Sequence, residues 1–332
     1  MNKRVNTLMS PKSSSAGFTL IEVMVSLLLS AILLYGVITI FDSNRRSSNY
    51  QTSISRVQES ARIAVELMTR DIRMADFWGC NKSAGSVTNH LSTADPDYDA
   101  SIINNWGSNG LAAQNDVTSL TIGTITVKDG TDVITLRGSA TLEGAQITKP
   151  YMNTSSAAVH VRKGTNISNG QILLISDCSG ADLFSNTQAN TPTSGTVAHN
   201  TGTLSVVGSV QNATQNFSKT YKGDAQITSP YTKTYFIGES GGGATWSLYR
   251  RYNTGVSQEV IRGVTDMQIF FGEDTSTNQS VNTYVDADSV TDMENVISVR
   301  AQLQIQSGDT GIEGAPLERT FYAVSSIRNR VL

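Results

Sequence analysis

Three regimes of hydrophobic and polar order follow one another along the chain. The first has no rhythm: FTLIEVMVSLLLSAILLYGVITIF, Phe18 to Phe41, is 24 residues long with Glu22 as its one charge. At 1.5 Å per helical residue it measures about 36 Å, enough to cross a hydrocarbon core of about 30 Å. The second regime is one-sided. Ile54, Val57, Ala61, Ala64/Val65, Met68, Ile72 and Ala75 recur at steps of three and four, the stripe of an amphipathic helix. Arg62, Glu66 and Arg70 fall four apart on another face, where opposite charges would add a few tenths of a kcal/mol each. No proline lies between Pro11 and Pro96, and Gly36 is the only glycine from Phe18 to Trp78. One helix of about sixty residues, or ~90 Å, is therefore expected, with Gly79 as its stop. A coiled coil would need strict heptads, which this segment lacks.

The third regime alternates. Short β-branched runs recur at 117–127, 132–138, 158–163, 171–178, 203–210, 233–238, 245–252, 264–272, 296–306 and 319–324, with turn residues between them. That rhythm predicts an antiparallel sheet domain over 79–332. Polar stretches at 83–116, 179–202 and 273–295 read as long surface loops. The fold class expected is α+β: a long N-terminal helix, half transmembrane and half amphipathic, packed on a C-terminal antiparallel sheet domain. The segments are a leader at 1–17, a membrane segment at 18–41, an amphipathic periplasmic helix at 42–78 and the β-rich head at 79–332.

Composition narrows the chemistry. The 332 residues carry 25 basic and 28 acidic groups, net −3, with 3 His and 2 Cys. The absence of a basic stretch argues against a nucleic-acid surface, and the scattered His and Cys have no zinc-site spacing. No cofactor is expected. The leader MNKRVNTLMSPKSSSAG is basic (Lys3, Arg4, Lys12) without an acid, which places the N-terminus in the cytoplasm and the head outside. A secretory signal would put its small-residue cleavage site after the apolar run; here Ser15-Ala16-Gly17 precedes it. Glu22 is the anomaly. A carboxylate in a membrane segment costs about 2.5–3.5 kcal/mol, so it needs a cation, and cutting between Gly17 and Phe18 would create one at the Phe18 amine.

Gly17-Phe18-Thr19-Leu20-Ile21-Glu22, behind a basic leader and opening an apolar 24-mer, resembles the class III signal of type IV pilins and type II secretion pseudopilins. The resemblance implies that a prepilin peptidase cuts after Gly17 and N-methylates Phe18. It also implies that Glu22 neutralises the terminal amine of an adjacent subunit. ESARIAVELMTRDIRMADFWGC (59–80), ISDCSGADLF (175–184), YFIGES…SLYRRYN (235–253), YVDADSVTDMENVISVRAQLQIQS (284–307) and IRNRVL (327–332) are together similar to the PilW group of minor pilins. What this implies is a low-abundance subunit of a pilus-tip initiation complex. Its partners would be other minor pilins, the major pilin, the inner-membrane assembly machinery and lipid, and the pili would serve adhesion, twitching motility and DNA uptake. A J-type pseudopilin of a type II secretion system is the nearest alternative.

Cys80 and Cys178, the only cysteines, would face an oxidising periplasm and are expected to form a disulfide, the alternative being two buried thiols. Two constellations mimic other chemistry. Gly238-Glu239-Ser240-Gly241-Gly242 matches G-x-S-x-G, the mark of a membrane-anchored serine hydrolase, but strand runs flank it on both sides, as at a glycine-rich hairpin tip. Asp286, Asp288, Asp292 and Glu294 form an acidic cluster that departs from the EF-hand loop, a solvated loop with the chemistry of a weak cation site. RRYN (250–253) is too small for a nucleic-acid patch.

Overall fold

The computed structural model describes residues 17–80, 87–107, 110–202, 204, 206–241, 245–310 and 316–331. The leader expected at 1–17 lies outside them apart from Gly17. Helix α1 spans Leu20–Arg73, 54 residues. It opens on Thr19, whose hydroxyl accepts the Glu22 N–H at 3.3 Å, and it carries Glu22 in its first turn and Arg70 and Arg73 in its last, charges suited to its dipole. Among the described residues it is the one helix long and apolar enough to cross a membrane.

From Leu20 to Thr52 the helix stands almost wholly exposed. From Ser53 onward it buries one stripe, Ser53, Val57, Ala61, Ala64, Met68, Asp71 and Ile72, against the head. The apolar members match the spacing in the sequence. The buried Ser53 and Asp71 are invisible to a hydrophobic pattern.

The helix stops five residues short of Trp78 because the sheet captures the chain there. Asp76 turns left-handed at φ 62°. Its N–H donates to Arg137 O at 2.8 Å, and Ser139 N–H donates to Phe77 O at 2.7 Å. Carbonyls that a helix end leaves orphaned find tertiary donors: the Tyr231 hydroxyl meets Met74 O at 3.1 Å and Asn329 Nδ2 meets Ala75 O at 2.9 Å. Gly79 keeps a special role beyond the helix. At φ 79° a Cβ there would lie 2.2 Å from the Ser176 hydroxyl, so the chain enters Cys80 only through glycine.

The head holds an eight-stranded and a four-stranded sheet. The spine of the larger is Gln226–Glu239. On one side it pairs with Thr131–Gln146; on the other it pairs first with Ile172–Asp177 and then with Trp246–Tyr252. Leu111–Val117 extends one flank and Gln258–Arg262 the other. The smaller sheet runs Thr283–Val285, Val264–Glu273, Val296–Thr310, Pro316–Ser326. Its inner residues, Met267, Ile269, Val299, Ala301, Leu303 and Ala323, share one core with the α1 stripe and with Ile134, Leu136, Tyr235 and Ile237 of the larger sheet. Among the described residues, every strand pairing of the two main sheets is antiparallel except Val87–Asn89 beside Gly180–Ser185.

Several expected elements are corrected. The polar stretch 179–202 contains Gly180–Ser185, a strand buried at every residue, and 83–116 contains two strands and the short helix Ala100–Ile103. The stretch 273–295 holds Thr283–Val285 and two 3-10 turns. The run 117–127 breaks into the tiny hairpin Thr121–Ile122/Ile125–Thr126, and the described residues of 203–210 form no strand.

Candidate assembly site

Phe18 and Glu22 sit at the free tip of α1. Gly17 has nothing within 4 Å of the position a Cβ would take, and Phe18 is 82% exposed. Thr19-Leu20-Ile21-Glu22 has the spacing of a capping box, and the Thr19 half of it is formed. That signal was present in the sequence. The Glu22 carboxylate is exposed and makes no ion pair with any described residue. The serine and threonine donors of the apolar run need no external partner: Ser26 donates to Glu22 O and Ser30 to Ser26 O, each at 2.7 Å, and Thr39 donates to Gly36 O at 2.8 Å. Glu22 is thus the charged side chain of this segment, left without a partner among the described residues.

At the other end of α1, charge fixes the stalk to the head. Asp71, 3% exposed, accepts from the Tyr235 hydroxyl at 2.6 Å and from Lys233 Nζ at 2.9 Å, with Arg250 at 3.7 Å. Burial, and then the Asp71 carboxylate, push the Tyr235 hydroxyl well above the ordinary tyrosine range, so it stays a donor. Arg330 Nε meets Asp76 Oδ2 at 2.6 Å while its NH1 donates to Met293 O and Val296 O. Arg328 N–H donates to Arg73 O at 3.2 Å. Arg328, Asn329 and Arg330 are therefore a clasp around the helix end.

Cys80 and Cys178 are bonded, with a Cα–Cα distance of 4.7 Å across 98 positions. The bond ties the chain leaving α1 to the turn between Ile172–Asp177 and Gly180–Ser185. Beside it, Lys219 pairs with Asp177. Partial burial works against that carboxyl's ionisation, but Lys219 and Ser179 hold it below its usual range. Behind the turn lies a second buried polar cluster: Asp182 accepts from Tyr221 OH at 2.8 Å and contacts His90 Nε2 at 2.6 Å.

The mimics separate from chemistry. Ser240 lies at a hairpin between two strands, not at a strand-to-helix turn, and its hydroxyl donates to Glu259 at 3.2 Å. Glu259 also accepts from Ser247 and Arg262, each at 2.8 Å. Burial opposes its ionisation, but Arg262, Ser247 and Ser240 hold its carboxyl below the usual range, wrong for a general base near neutrality. Gly242 lies outside the described residues. The acidic loop is engaged locally: Asp286 and Asp292 cap the two 3-10 turns, and Asp288 accepts from Asn115 at 3.2 Å. Among the described residues no three His, Cys, Asp or Glu converge on a metal position. Within RRYN, Arg250 faces Asp71, Arg251 holds Thr254 O and Gly255 O, and Asn253 accepts Thr232 N–H at 2.7 Å.

Residues 12–38 match the family model of the prokaryotic N-terminal methylation motif. Residues 234–324 match that of the type IV pilus-assembly protein W. No curated protein and no solved structure matches the chain. The first match covers Gly17, Phe18 and Glu22 at the tip of α1; the second covers most of the smaller sheet, which grips the stalk. With an apolar helix for an anchor and a β-rich head behind it, the two matches support a type IV pilus minor pilin of the PilW group.

Proposed function

We propose that the chain is cut after Gly17 by a prepilin peptidase, N-methylated at Phe18, and inserted among pilin helices by pairing Glu22 with a neighbour's Phe18 ammonium. The supporting observation is Glu22 itself: an exposed carboxylate one turn from Phe18, unpartnered among the described residues, on a helix whose Ser26, Ser30 and Thr39 hydroxyls are turned inward to its own backbone. Pairing removes two charges from hydrocarbon at once, whereas a lone carboxylate there costs about 2.5–3.5 kcal/mol. In this reading the subunit waits in the inner membrane, N-terminus cytoplasmic and head periplasmic. It then joins other minor pilins in a tip complex that primes polymerisation of the major pilin. The pili would support adhesion, twitching motility and DNA uptake.

Glu22→Ala tests the pairing. The variant should still insert and be processed, yet be depleted from sheared pili; recovery at the wild-type level overturns the ion pair. Intact mass tests the cut: a mature chain beginning at methylated Phe18 is expected, and a bulky residue at position 17 should leave the leader attached.

A further inference from the structure

The helix pattern promised that Arg62, Glu66 and Arg70 would pair with one another along α1. They do not. Instead Arg62, Glu66, Arg70 and Arg73 line, with Arg328, a cleft of about 730 Å³ floored by Val65 and Met74. Four guanidiniums against one carboxylate leave a local charge of +3 (4 − 1) in a protein whose net charge is −3. All four arginines are exposed, and none makes a side-chain hydrogen bond or ion pair with a described residue. Met74 is 42% exposed although it adjoins the clasp. At 100° per residue the cleft residues centre about 150° round α1 from the Val57–Ile72 stripe, so the head meets only the edge of the cleft, through Arg328 and Ser325, and leaves the arginines exposed.

We propose that this cleft is the docking site for an acidic helix of a neighbouring pilin subunit. Position excludes lipid. Arg62 lies 21 residues past Phe41 (62 − 41), about 32 Å up the helix, several Debye lengths from headgroups at the end of the apolar run. The wall chemistry favours a protein over a phosphate backbone, because Glu66 interrupts the positive row and Val65 and Met74 offer apolar seats. Spacing defines the partner. Arg62 and Arg70 are separated by about 12 Å of helical rise, so a complementary helix presents carboxylates seven or eight residues apart with an apolar residue between them. The site rests on the reading that this chain assembles among pilin helices, and it adds a second contact to the one at Glu22. Rim charges of this kind set partner choice and register more than affinity.

A photoreactive amino acid placed at Thr69, at the edge of the cleft, in the full-length chain in piliated cells tests it. The expected product is a crosslink to an acidic helical segment of another pilin, with yield falling at least tenfold in Arg70→Glu/Arg73→Glu. Swapping the crosslinked acids for arginine should restore that yield. Oxidation of Cys80 and Cys178 on a non-reducing gel checks folding, and Arg70→Gln/Arg73→Gln serves where the reversal misfolds. Crosslinks to lipid, nucleic acid, a second copy of this chain or a non-acidic segment overturn the proposal, as does a yield unmoved by the reversal. If Glu22→Ala enters pili normally while the Thr69 crosslink persists, the Glu22 pairing fails and the cleft stands; the opposite pattern sinks the cleft alone.

Discussion

Arg330 and Asp76 meet at 2.6 Å across 254 positions of sequence, closing the clasp that holds the end of α1 to the smaller sheet. Both side chains are largely shielded, and Arg330 also satisfies Met293 O and Val296 O. Arg330→Ala leaves a carboxylate and two carbonyls without their donor, an expected loss of about 2–3 kcal/mol. Arg330→Lys should recover part of it, lacking the planar fork. Urea unfolding of the detergent-solubilised protein would measure both.

Asp71 makes a parallel case inside the stalk contact. Tyr235→Phe removes one hydrogen bond to a charged acceptor and is expected to cost about 1.5–3 kcal/mol. Asp71→Ala should cost more, because Lys233 and Arg250 then face each other without their shared anion. If the two variants unfold at the same urea midpoint, the anion is not what organises this cluster.

Reduction of Cys80–Cys178 should lower stability by up to about 4–5 kcal/mol, since it reopens a loop of about a hundred residues. Cys178→Ser should behave like the reduced wild type in a thermal melt. The stalk stripe beyond the bond should keep its protection from hydrogen exchange longer than Trp78 does.

Stability should fall on acidification in two stages. Burial holds the His199 imidazole below its ordinary value, against an opposing hydrogen bond with Ala157 O at 3.1 Å, and the ring stacks on Phe217 at 3.8 Å. The unfolded chain therefore binds a proton there first, and the contribution present above about pH 6.5 is lost below it. Asp177, depressed by Lys219, contributes above about pH 4 and loses that contribution further down. Melting temperatures from pH 8 to 3 should show both steps, and His199→Phe should flatten the first.

The stalk was the legible part of this molecule. Its membrane run, its stripe and the Gly17–Glu22 motif depend on local periodicity and short-range chemistry, which survive in one dimension. The clasp was not legible, because Arg330 and Asp76 gain meaning only when they meet. Gly180–Ser185 was hidden for a related reason. Its Gly, Asp and Ser read as a turn, yet Asp182 is buried because His90, Ser218 and Tyr221 supply its partners from distant segments. The helix end was misplaced because tertiary bonds from Arg137, Ser139 and Asn329, not the nearest glycine, decide where it unwinds.

The stripe of α1 packs on strands that begin at Val264 and run to Ser326, roughly two hundred positions after the helix itself. At synthesis rates of about 5–20 residues per second, the anchor would be threaded into the bilayer some 10–50 s before Arg330 emerges to secure it. Through that interval Val57, Ala64 and Met68 have no native cover. Biogenesis of this subunit is thus ordered by topology, with the greasy foot placed first and the buckle fastened last, and a stalled ribosome short of residue 330 would leave a tethered but open intermediate for quality control to find.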